Sequence, residues 1–400
     1  MNRILTIKNL DDAREELHKI KVSSQGVEVM APKTLGCSIK LTGVRVGAAN
    51  ILKQEMLSIG GDAAVARGVV NGKEEISDLI LLGNAAKIRK LIMKLDNQTI
   101  FGLPQIQNDL KELLNQMRGR RKYQVNCAGR ELDLNTTRVM GVLNVTPDSF
   151  SDGSKFYNKE NAISQAKEMI EAGVDIIDIG GESTRPGAEP VGAEDEMERV
   201  VPVIAAIRKF SDVLISIDTF KAEVAEAAIM AGANIINDIS ALEADKEMIN
   251  VLKKYPEIPI ILMHKKGTPQ NMQVEPFYDD VIEEILTYLS DRIAYCVANG
   301  IARDRIVIDP GIGFGKRQED NLKILQRLGE FHALRVPILL GASRKGFIGR
   351  IYQSTPTERE EGTLATTAIA FENNIQIVRV HAVQANLRLL KTLQAVKDVK

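Results

Sequence analysis

The 400-residue chain has 52 basic and 53 acidic side chains and a formal net charge of −1. This balance gives no general electrostatic reason to bind nucleic acid or an anionic membrane, and we expect neither as a partner. Apolar residues make up 44% of the sequence and aromatic residues only 4%, with no Trp, so the core must be mainly aliphatic.

The three cysteines, Cys37, Cys127 and Cys296, lie far apart and form no CxxC pair. This spacing argues against a disulfide framework or a zinc site and favours free thiols in a reducing compartment. Charged residues such as Asp11 and Glu15 interrupt the start of the chain before an apolar run of signal length develops. No stretch reaches the roughly 18 uncharged apolar residues of a membrane span. We therefore expect a cytoplasmic protein.

Residues 1–124 are predicted to form a small α/β domain. Its strands are predicted at 35–44, 63–70 and 76–83, and its helices at 47–60, 84–95 and 104–117. The second and third strands flank an Asn71-Gly72 turn, and the basic run at 118–123 indicates a linker. The segment contains no group of His, Cys or carboxylates that indicates chemistry, so a packing or assembly role is the plainer interpretation.

The second predicted domain, residues 125–400, repeats one pattern from residue 139 onward: a short β-branched run, then an amphipathic helix. Nearly all of these runs are continuously apolar, which is typical of parallel strands buried on both faces. Eight such strands favour a (β/α)8 TIM barrel, although an open doubly wound sheet has the same alternation. The strands are predicted at 139–146, 175–180, 214–219, 234–239, 259–264, 305–310, 337–342 and 377–381, with helices at 221–231, 277–299, 358–373 and from 383.

Polar and charged residues follow the predicted strands. Asp218 and Asp309 end strands that are otherwise apolar, where an unpaired carboxylate is costly. A flat heterocycle with adjacent N–H donors would pair with these carboxylates, while Asn237 and Lys345 would bind other edges of the ring. Internal pairing of aspartate with lysine is the simpler structural alternative.

Anion-binding and cation-binding side chains are also predicted at strand ends. Arg379 and His381 stand two apart on the last strand, so their side chains share one face. In a closed barrel the last strand neighbours the first, which ends near Asn144. The amide oxygen of Asn144 suits Mg²⁺ held together with substrate phosphates, and Arg185 offers a cationic fork suited to phosphate.

Five segments resemble the hallmark segments of the dihydropteroate synthases, and they follow one another in order between residues 136 and 400. They are long enough to make coincidence a poor explanation. The segments are GVLNVTPDSFSDG at 141–153, DIGGESTRPG at 178–187, IDPGIGFGK at 308–316, GASRKGFIG at 341–349 and RVH at 379–381.

The resemblance implies that 6-hydroxymethyl-7,8-dihydropterin diphosphate loses pyrophosphate to the amine of p-aminobenzoate, a step of folate biosynthesis. It also implies Mg²⁺ as cofactor, small-molecule substrates and a homodimer. Asp218 and Asp309 would stabilise a pterin cation, and Lys345 would hold the ring. Position by position, the resemblance places Mg²⁺ and the diphosphate at Asn144, the pterin at Thr184, Asp218, Asn237, Asp309 and Lys345, the departing pyrophosphate at Arg379 and His381, and p-aminobenzoate at Arg185, Pro186, Phe314 and Ser343. Loops 148–153 and 184–188 would close over the site.

The chain departs from the family pattern at a few positions, and the first 125 or so residues are not part of the common enzyme. No departure removes a proposed catalytic group. The lysine pair after His264 and the alanine after His381 are expected to alter affinity or pH dependence. The departures are Ser154, Lys265, Lys266, Arg317, Asp320 and Ala382.

Two other interpretations remain open. A methyltetrahydrofolate–corrinoid methyltransferase would need the same pterin-binding residues but no diphosphate site, and the pair Arg379 and His381 argues against it. A non-catalytic pterin-binding protein, with the N-terminal domain as its interaction surface, has no need of Asn144, Lys345 or Arg379, and all three are present.

Overall fold

The computed structural model divides the chain into two compact units, Met1–Arg121 and Lys122–Lys400. Each unit has its own aliphatic core. The structure describes residues 2–118, 122–146, 155–183, 190–268, 271–272 and 274–399.

The N-terminal unit is built on a three-stranded antiparallel sheet in the order β1-β3-β2. Alternate residues of the central strand are buried, so one face of the sheet packs on helices and the other is exposed. Its elements are α1 (Leu10–Lys19), α2 (Ser24–Thr34), β1 (Gly36–Arg45), α3 (Val46–Ser58), β2 (Asp62–Val65), α4 (Arg67–Val70), β3 (Ile76–Asn84), α5 (Ala85–Lys94) and α6 (Leu103–Arg118).

Most elements predicted for this unit are confirmed, but the strand predicted at 63–70 is wrong beyond residue 65. There the chain leaves the sheet and forms the single helical turn α4, which places Val69 in the core with no exposure. The β-branched pair at 69–70 suggested a strand, but burial of Val69 decides the local structure. The polar helix α1 was not predicted; it is capped by Asn9, whose side chain accepts two backbone N–H groups.

The second unit begins with a hairpin and continues as the predicted barrel, with all eight parallel strands present. Strand β6 pairs with both β7 and β13, so the first and last barrel strands are neighbours. A parallel bridge between Ile308 and Ile338 joins the two remaining edges and closes the ring. The hairpin is β4 (Gln124–Cys127) and β5 (Arg130–Asp133), and the barrel strands are β6 (Arg138–Asn144), β7 (Ile176–Gly180), β8 (Leu214–Asp218), β9 (Ile235–Asp238), β10 (Ile260–Met263), β11 (Ile306–Asp309), β12 (Leu339–Leu340) and β13 (Ile377–Val380).

Helices surround the strand ring, and their aliphatic faces share one large core with it. Within the described parts of the chain, no helix is long and apolar enough to cross a bilayer. The helices are α7 (Lys155–Ala172), α8 (Ala193–Arg208), α9 (Ala222–Ala231), α10 (Met248–Lys254), α11 (Val281–Ala298), α12 (Gln318–Gln326), α13 (Gly346–Tyr352), α14 (Glu360–Glu372) and α15 (Val383–Lys397), with 3₁₀ turns at Arg303–Arg305, Leu328–Leu334 and Pro356–Glu358.

The lower part of the barrel interior is an apolar layer to which every barrel strand contributes one side chain. The hairpin adds Val125, Cys127 and Leu132 to the same cluster. The floor is therefore sealed by hydrocarbon, and polar groups can enter the barrel only above it. The strand residues of this layer are Met140, Ile176, Leu214, Ile235, Ile261, Val307, Leu339 and Ile377.

Because the second unit has a closed sheet and its own core, we expect a fragment comprising residues 122–400 to fold without the N-terminal unit. Circular dichroism of the fragment should show a helical signal. Urea titration should show one cooperative unfolding transition, as expected for the same unit within the intact chain. An aggregated fragment, or one that melts without cooperativity, would contradict this expectation.

Candidate active site

A polar layer lies directly above the apolar floor of the barrel. Side chains two residues apart on a strand point to the same side, so the residues that follow the floor layer by two also face the interior. On β7, β9, β11 and β13 these residues are Asp178, Asn237, Asp309 and Arg379. Sequence alternation within buried strands thus brings two carboxylates, an amide and a guanidinium into one small volume.

Arg379 is held by two carboxylates from neighbouring strands. Its Nε lies 2.6 Å from Asp178 Oδ2, and its Nη2 lies 2.6 Å from Asp218 Oδ2. Asp178 has no exposure, and its Oδ2 also accepts a bond of 3.2 Å from Asn237 Nδ2. Removing one partner of such a buried pair generally costs about 3–5 kcal/mol, because the other charge is left uncompensated. Arg379 and the two carboxylates therefore depend on one another.

Burial sets the protonation of this cluster. Loss of solvation raises the pKa of Asp218 to about 7, because it outweighs the attraction of Arg379, and the charge of Asp178 adds to the rise. The two carboxylates in turn raise the pKa of Arg379, despite its burial. Arg379 is thus a permanent cation, whereas Asp218 exchanges a proton near neutral pH.

Asp309 and Lys345 form the opposite side of the layer. Burial raises the pKa of Asp309, and its Oδ1 accepts the Gly311 N–H at 2.7 Å. Lys345 is the N-cap residue of α13, and its Nζ lies 4.0 Å from the centre of the Phe314 ring. Burial, together with repulsion from Arg379, lowers the pKa of Lys345 to about 8, although Asp309 and Asp218 oppose the change. The ammonium of Lys345 is close enough to Asp218 and Asp309 to lower the pKa of both carboxyls.

The Phe314 ring belongs to a small apolar cluster at the mouth of the barrel. Its buried neighbours are Ile239, Met263 and Met272, and the partly buried Phe220 packs against them. A flat aromatic ligand entering here would meet hydrocarbon on one side and charged groups on the other.

Ser343 and His381 join the ends of β12 and β13. Ser343 Oγ lies 2.9 Å from His381 Nδ1, and it also accepts the backbone N–H of His381 at 3.2 Å. His381 lines a surface cavity of about 710 Å³, whose other walls come from α7 and the start of α15. The imidazole is therefore fixed by Ser343 beside an open space.

Asn144, Gly180 and Asp218 stand side by side on β6, β7 and β8. A Cβ on Gly180 would lie 3.8 Å from Asn144 Oδ1 and 3.7 Å from Asp218 Oδ2, so both oxygens border the space left by the missing side chain. Among the residues that the structure describes, no group of three or more His, Cys, Asp or Glu could hold a metal. A cation bound at Asn144 would consequently take most of its ligands from substrate and water.

Thr184, Arg185 and Pro186 lie outside the described residues, as do both loops predicted to close over the site, 148–153 and 184–188. The other predicted site residues, from Asn144 on β6 to His381 after β13, lie at the C-terminal ends of barrel strands or in the loops that follow them.

The departures from the family pattern at Arg317 and Asp320 are structural. Asp320 accepts the backbone N–H of Arg317 at 2.9 Å and also pairs with the Arg317 guanidinium, which caps the start of α12. Lys266 pairs with Glu284 at 3.3 Å. At Ala382 the N-cap of α15 has no side-chain acceptor, and the first residues of this helix line the cavity beside His381.

Two buried charged residues close to the site were not identified from the sequence. Asp178 stands two residues beyond Ile176 on a continuously apolar strand, in the same relation as Asp309 to Val307. This shared position could have identified Asp178 as a residue of the barrel interior. Its place at the start of the segment 178–187 does not do so. Lys316 is almost completely buried and bonded to the loop after β11, and its sequence position gave no indication of this.

The raised pKa of Asp218 predicts a pH-dependent contribution to stability. In an unfolded chain this carboxyl titrates near pH 3.9, so between about pH 4 and 7 the folded state binds more protons and the free energy of unfolding falls as pH rises. Asp218→Asn removes the titrating group, so the variant does not lose this part of its free energy of unfolding as pH rises. Relative to the parent chain, the variant should gain stability from about pH 5 to about pH 8, by at most about 3 kcal/mol.

Urea unfolding of both chains at the two pH values measures this gain. Asp291→Asn, at an exposed position of α11, is the matched control and should show no such change. A stability difference between the Asp218 variant and its parent that stays constant with pH would show that this carboxylate does not titrate in the folded state.

Comparisons of this chain with a family model, with curated proteins and with solved structures all indicate the same family. The model for "pterin binding enzyme" matches residues 140–381. A dihydropteroate synthase from Escherichia coli is 44% identical over 274 residues, which are 68% of this chain and 96% of that protein. A probable bifunctional folylpolyglutamate synthase/dihydropteroate synthase from Halobacterium salinarum is 40% identical over 391 residues, which are 98% of this chain and 46% of that protein.

The match to the Halobacterium protein extends through the N-terminal unit, and the chain spans about half the length of that relative. Among solved structures, Xanthomonas albilineans dihydropteroate synthase with 4-aminobenzoic acid superposes with a TM-score of 0.66 at 41% identity. It covers 70% of this chain and all of that one. On these matches and on the barrel they share, the chain belongs to the pterin-binding enzyme family, within its dihydropteroate synthases.

Proposed function

We propose that this chain is a dihydropteroate synthase, which joins 6-hydroxymethyl-7,8-dihydropterin diphosphate to p-aminobenzoate and releases pyrophosphate. The observation that carries the proposal is the buried layer in which Arg379 is paired with Asp178 and Asp218 at the carboxyl ends of the barrel strands. Asp309 and Lys345 face the same interior. Among the described residues neither of these two forms a salt bridge, and a buried charge without such a partner is costly unless a polar ligand uses it.

The pterin ring binds between Asp218, Asn237, Asp309 and Lys345. Adjacent ring N–H and amino groups donate to a carboxylate, and the ammonium donates to the ring carbonyl or a ring nitrogen. The pKa of Asp218, raised to about 7, and that of Lys345, lowered to about 8, bring both groups closer to neutrality than in water, which suits an uncharged heterocycle. Thr184 completes the pterin site by family resemblance.

The diphosphate lies on the side of Arg379, His381 and Asn144. Arg379 is oriented by its carboxylate partners, and among the described residues its Nη1 has no hydrogen-bond partner. The start of α15, which lacks a side-chain cap, adds backbone N–H groups that favour an anion. Asn144 would hold Mg²⁺ together with the diphosphate, and the ion would supply charge neutralisation for the leaving group.

The reaction follows from this division of charge. The bond between the pterin methylene carbon and the diphosphate oxygen breaks, and its electron pair leaves with pyrophosphate. Asp218 and Asp309 stabilise the positive charge that remains on the pterin. The amine of p-aminobenzoate then attacks the methylene carbon and loses one proton, which gives 7,8-dihydropteroate. No covalent enzyme intermediate is required.

The second substrate binds at the apolar mouth. Phe314 and Ser343 line this position, and Arg185 and Pro186 complete it by family resemblance. A solved Xanthomonas relative contains 4-aminobenzoic acid, which supports p-aminobenzoate as the second substrate. We also propose a cytoplasmic homodimer, on family resemblance alone, with the chemistry confined to the second unit.

The proposal predicts that the purified chain, given pterin diphosphate, p-aminobenzoate and Mg²⁺, releases one pyrophosphate for each dihydropteroate formed. Omission of p-aminobenzoate should stop product formation. Binding of the pterin without turnover would favour a non-catalytic pterin-binding protein, and transfer of a methyl group from methyltetrahydrofolate would favour the methyltransferase.

Lys345→Ala and Asp309→Ala should each weaken pterin binding by about 1–3 kcal/mol, because each leaves a buried polar partner unsatisfied. Calorimetric titration with the pterin measures the change. Lys391→Ala, at an exposed position of α15, is the control. Pterin affinity that is unchanged in both site variants would remove these residues from the pterin site.

A further inference from the structure

The side chain of Lys316 is buried inside the loop that joins β11 to α12. Only 1% of the residue is exposed. Its Nζ lies 2.8 Å from the carbonyl oxygen of Gly311, 3.1 Å from that of Phe314 and 2.9 Å from His264 Nδ1, with the His264 carbonyl oxygen farther away at 3.4 Å. An ammonium has three N–H donors and no acceptor, so the three nearer groups match its donors.

His264 is suited to accept from this ammonium. Burial, together with the nearby charge of Lys316, lowers the pKa of His264 well below its ordinary value, so the ring is neutral. Burial also lowers the pKa of Lys316 to about 7, a change that Asp309 opposes. The groups that accept from Lys316 are therefore backbone carbonyls and a neutral imidazole, which are dipoles and carry no net charge.

Charge compensation does not explain the placement of Lys316. Among the described residues it forms no ion pair with a carboxylate, and Asp320 of α12, whose charge acts on Lys316, has its own partner in Arg317. The contacts of Lys316 are instead with the backbone of its own loop and with the residue that follows β10.

The loop is folded so tightly that it needs such an anchor. Gly311 and Gly315 have positive φ angles of 71° and 63°. A Cβ at either position would overlap a backbone carbonyl oxygen, that of His264 or that of Lys266. The loop therefore packs against the segment after β10, and the carbonyl groups of Gly311 and Phe314 turn towards one point, which Nζ occupies.

This loop carries a residue of the proposed p-aminobenzoate site. The Phe314 ring lies 4.0 Å from Lys345 Nζ, and the Phe314 carbonyl oxygen accepts a hydrogen bond from Lys316 Nζ. Asp309, by contrast, belongs to β11, where sheet pairing with Met263 fixes its backbone. A change at Lys316 would thus displace Phe314 more than Asp309.

We propose that Lys316 is a positioning residue that sets the p-aminobenzoate side of the site by fixing the loop that bears Phe314, without touching either substrate. The proposal rests on the proposed function for the identity of the ligand. Its geometric part, that the ammonium of Lys316 holds the loop, does not depend on that function.

Lys316→Met keeps an unbranched side chain, one heavy atom shorter, and removes its donors, whereas Lys316→Gln keeps an amide donor. In the methionine variant we expect KM for p-aminobenzoate to rise by about tenfold to a hundredfold, the scale of a small misplacement. Affinity for the pterin diphosphate should stay close to that of the parent chain. The glutamine variant should have a KM for p-aminobenzoate between those of the parent and the methionine variant. Lys323→Met, at an exposed position of α12, is the matched control and should behave as the parent.

Two kinetic outcomes would overturn the proposal. One is a methionine variant whose folded molecules have the parent's KM and kcat. The other is a loss of pterin affinity as large as the change in KM for p-aminobenzoate, which would indicate general collapse of the site. If the methionine variant does not fold, the same two criteria apply to the glutamine variant.

Hydrogen exchange tests the geometric part without any activity. In the parent, the amides of Gly311, Gly313 and Phe314 are bonded within the loop or to Asn321. Both Lys316 variants should exchange these amides faster, while those of α12 keep the parent's rates. Unchanged loop exchange would overturn the proposal. A parent chain that releases no pyrophosphate would instead overturn the proposed function and leave this readout valid.

Discussion

The site depends on one interaction, the guanidinium of Arg379 held between the buried carboxylates of Asp178 and Asp218. Three strands of the barrel meet in it, and Asn237 is attached through Asp178. Because none of these charges is tolerable alone at this depth, the cluster must form as a set. This requirement fixes the relative positions of the side chains assigned to the pterin and to the departing pyrophosphate.

The barrel makes this arrangement possible through its layers. Below the polar layer every strand contributes one aliphatic side chain, and the β4–β5 hairpin closes the floor. Water is therefore excluded from below, and the carboxylates above lose solvation, which raises the pKa of both Asp218 and Asp309. The same burial lowers the pKa of Lys345. An apolar floor thus brings acids and a base towards neutrality and suits them to bind an uncharged heterocycle.

Much of this could be predicted from the sequence, and the exceptions have physical causes. Continuous apolar runs identify strands buried on both faces, so all eight barrel strands were predicted. Residues that end such runs, such as Asp218 and Asp309, are visible because a carboxylate there contrasts with its neighbours. Asp178 is less visible, since it sits inside a run, and its role depends on a partner 201 positions away. Lys316 could not be found, because its importance lies in backbone carbonyls that only the folded loop brings together.

The central claim is that the layer around Arg379 divides one ligand into a pterin half and a phosphate half. A crystal structure of the chain with pterin diphosphate and Mn²⁺ in place of Mg²⁺ tests this most directly. The account predicts the ring between Asp218, Asn237, Asp309 and Lys345, with the diphosphate and the anomalous metal signal towards Asn144 and His381. A ligand bound elsewhere in the barrel, or in the reverse orientation, would contradict it.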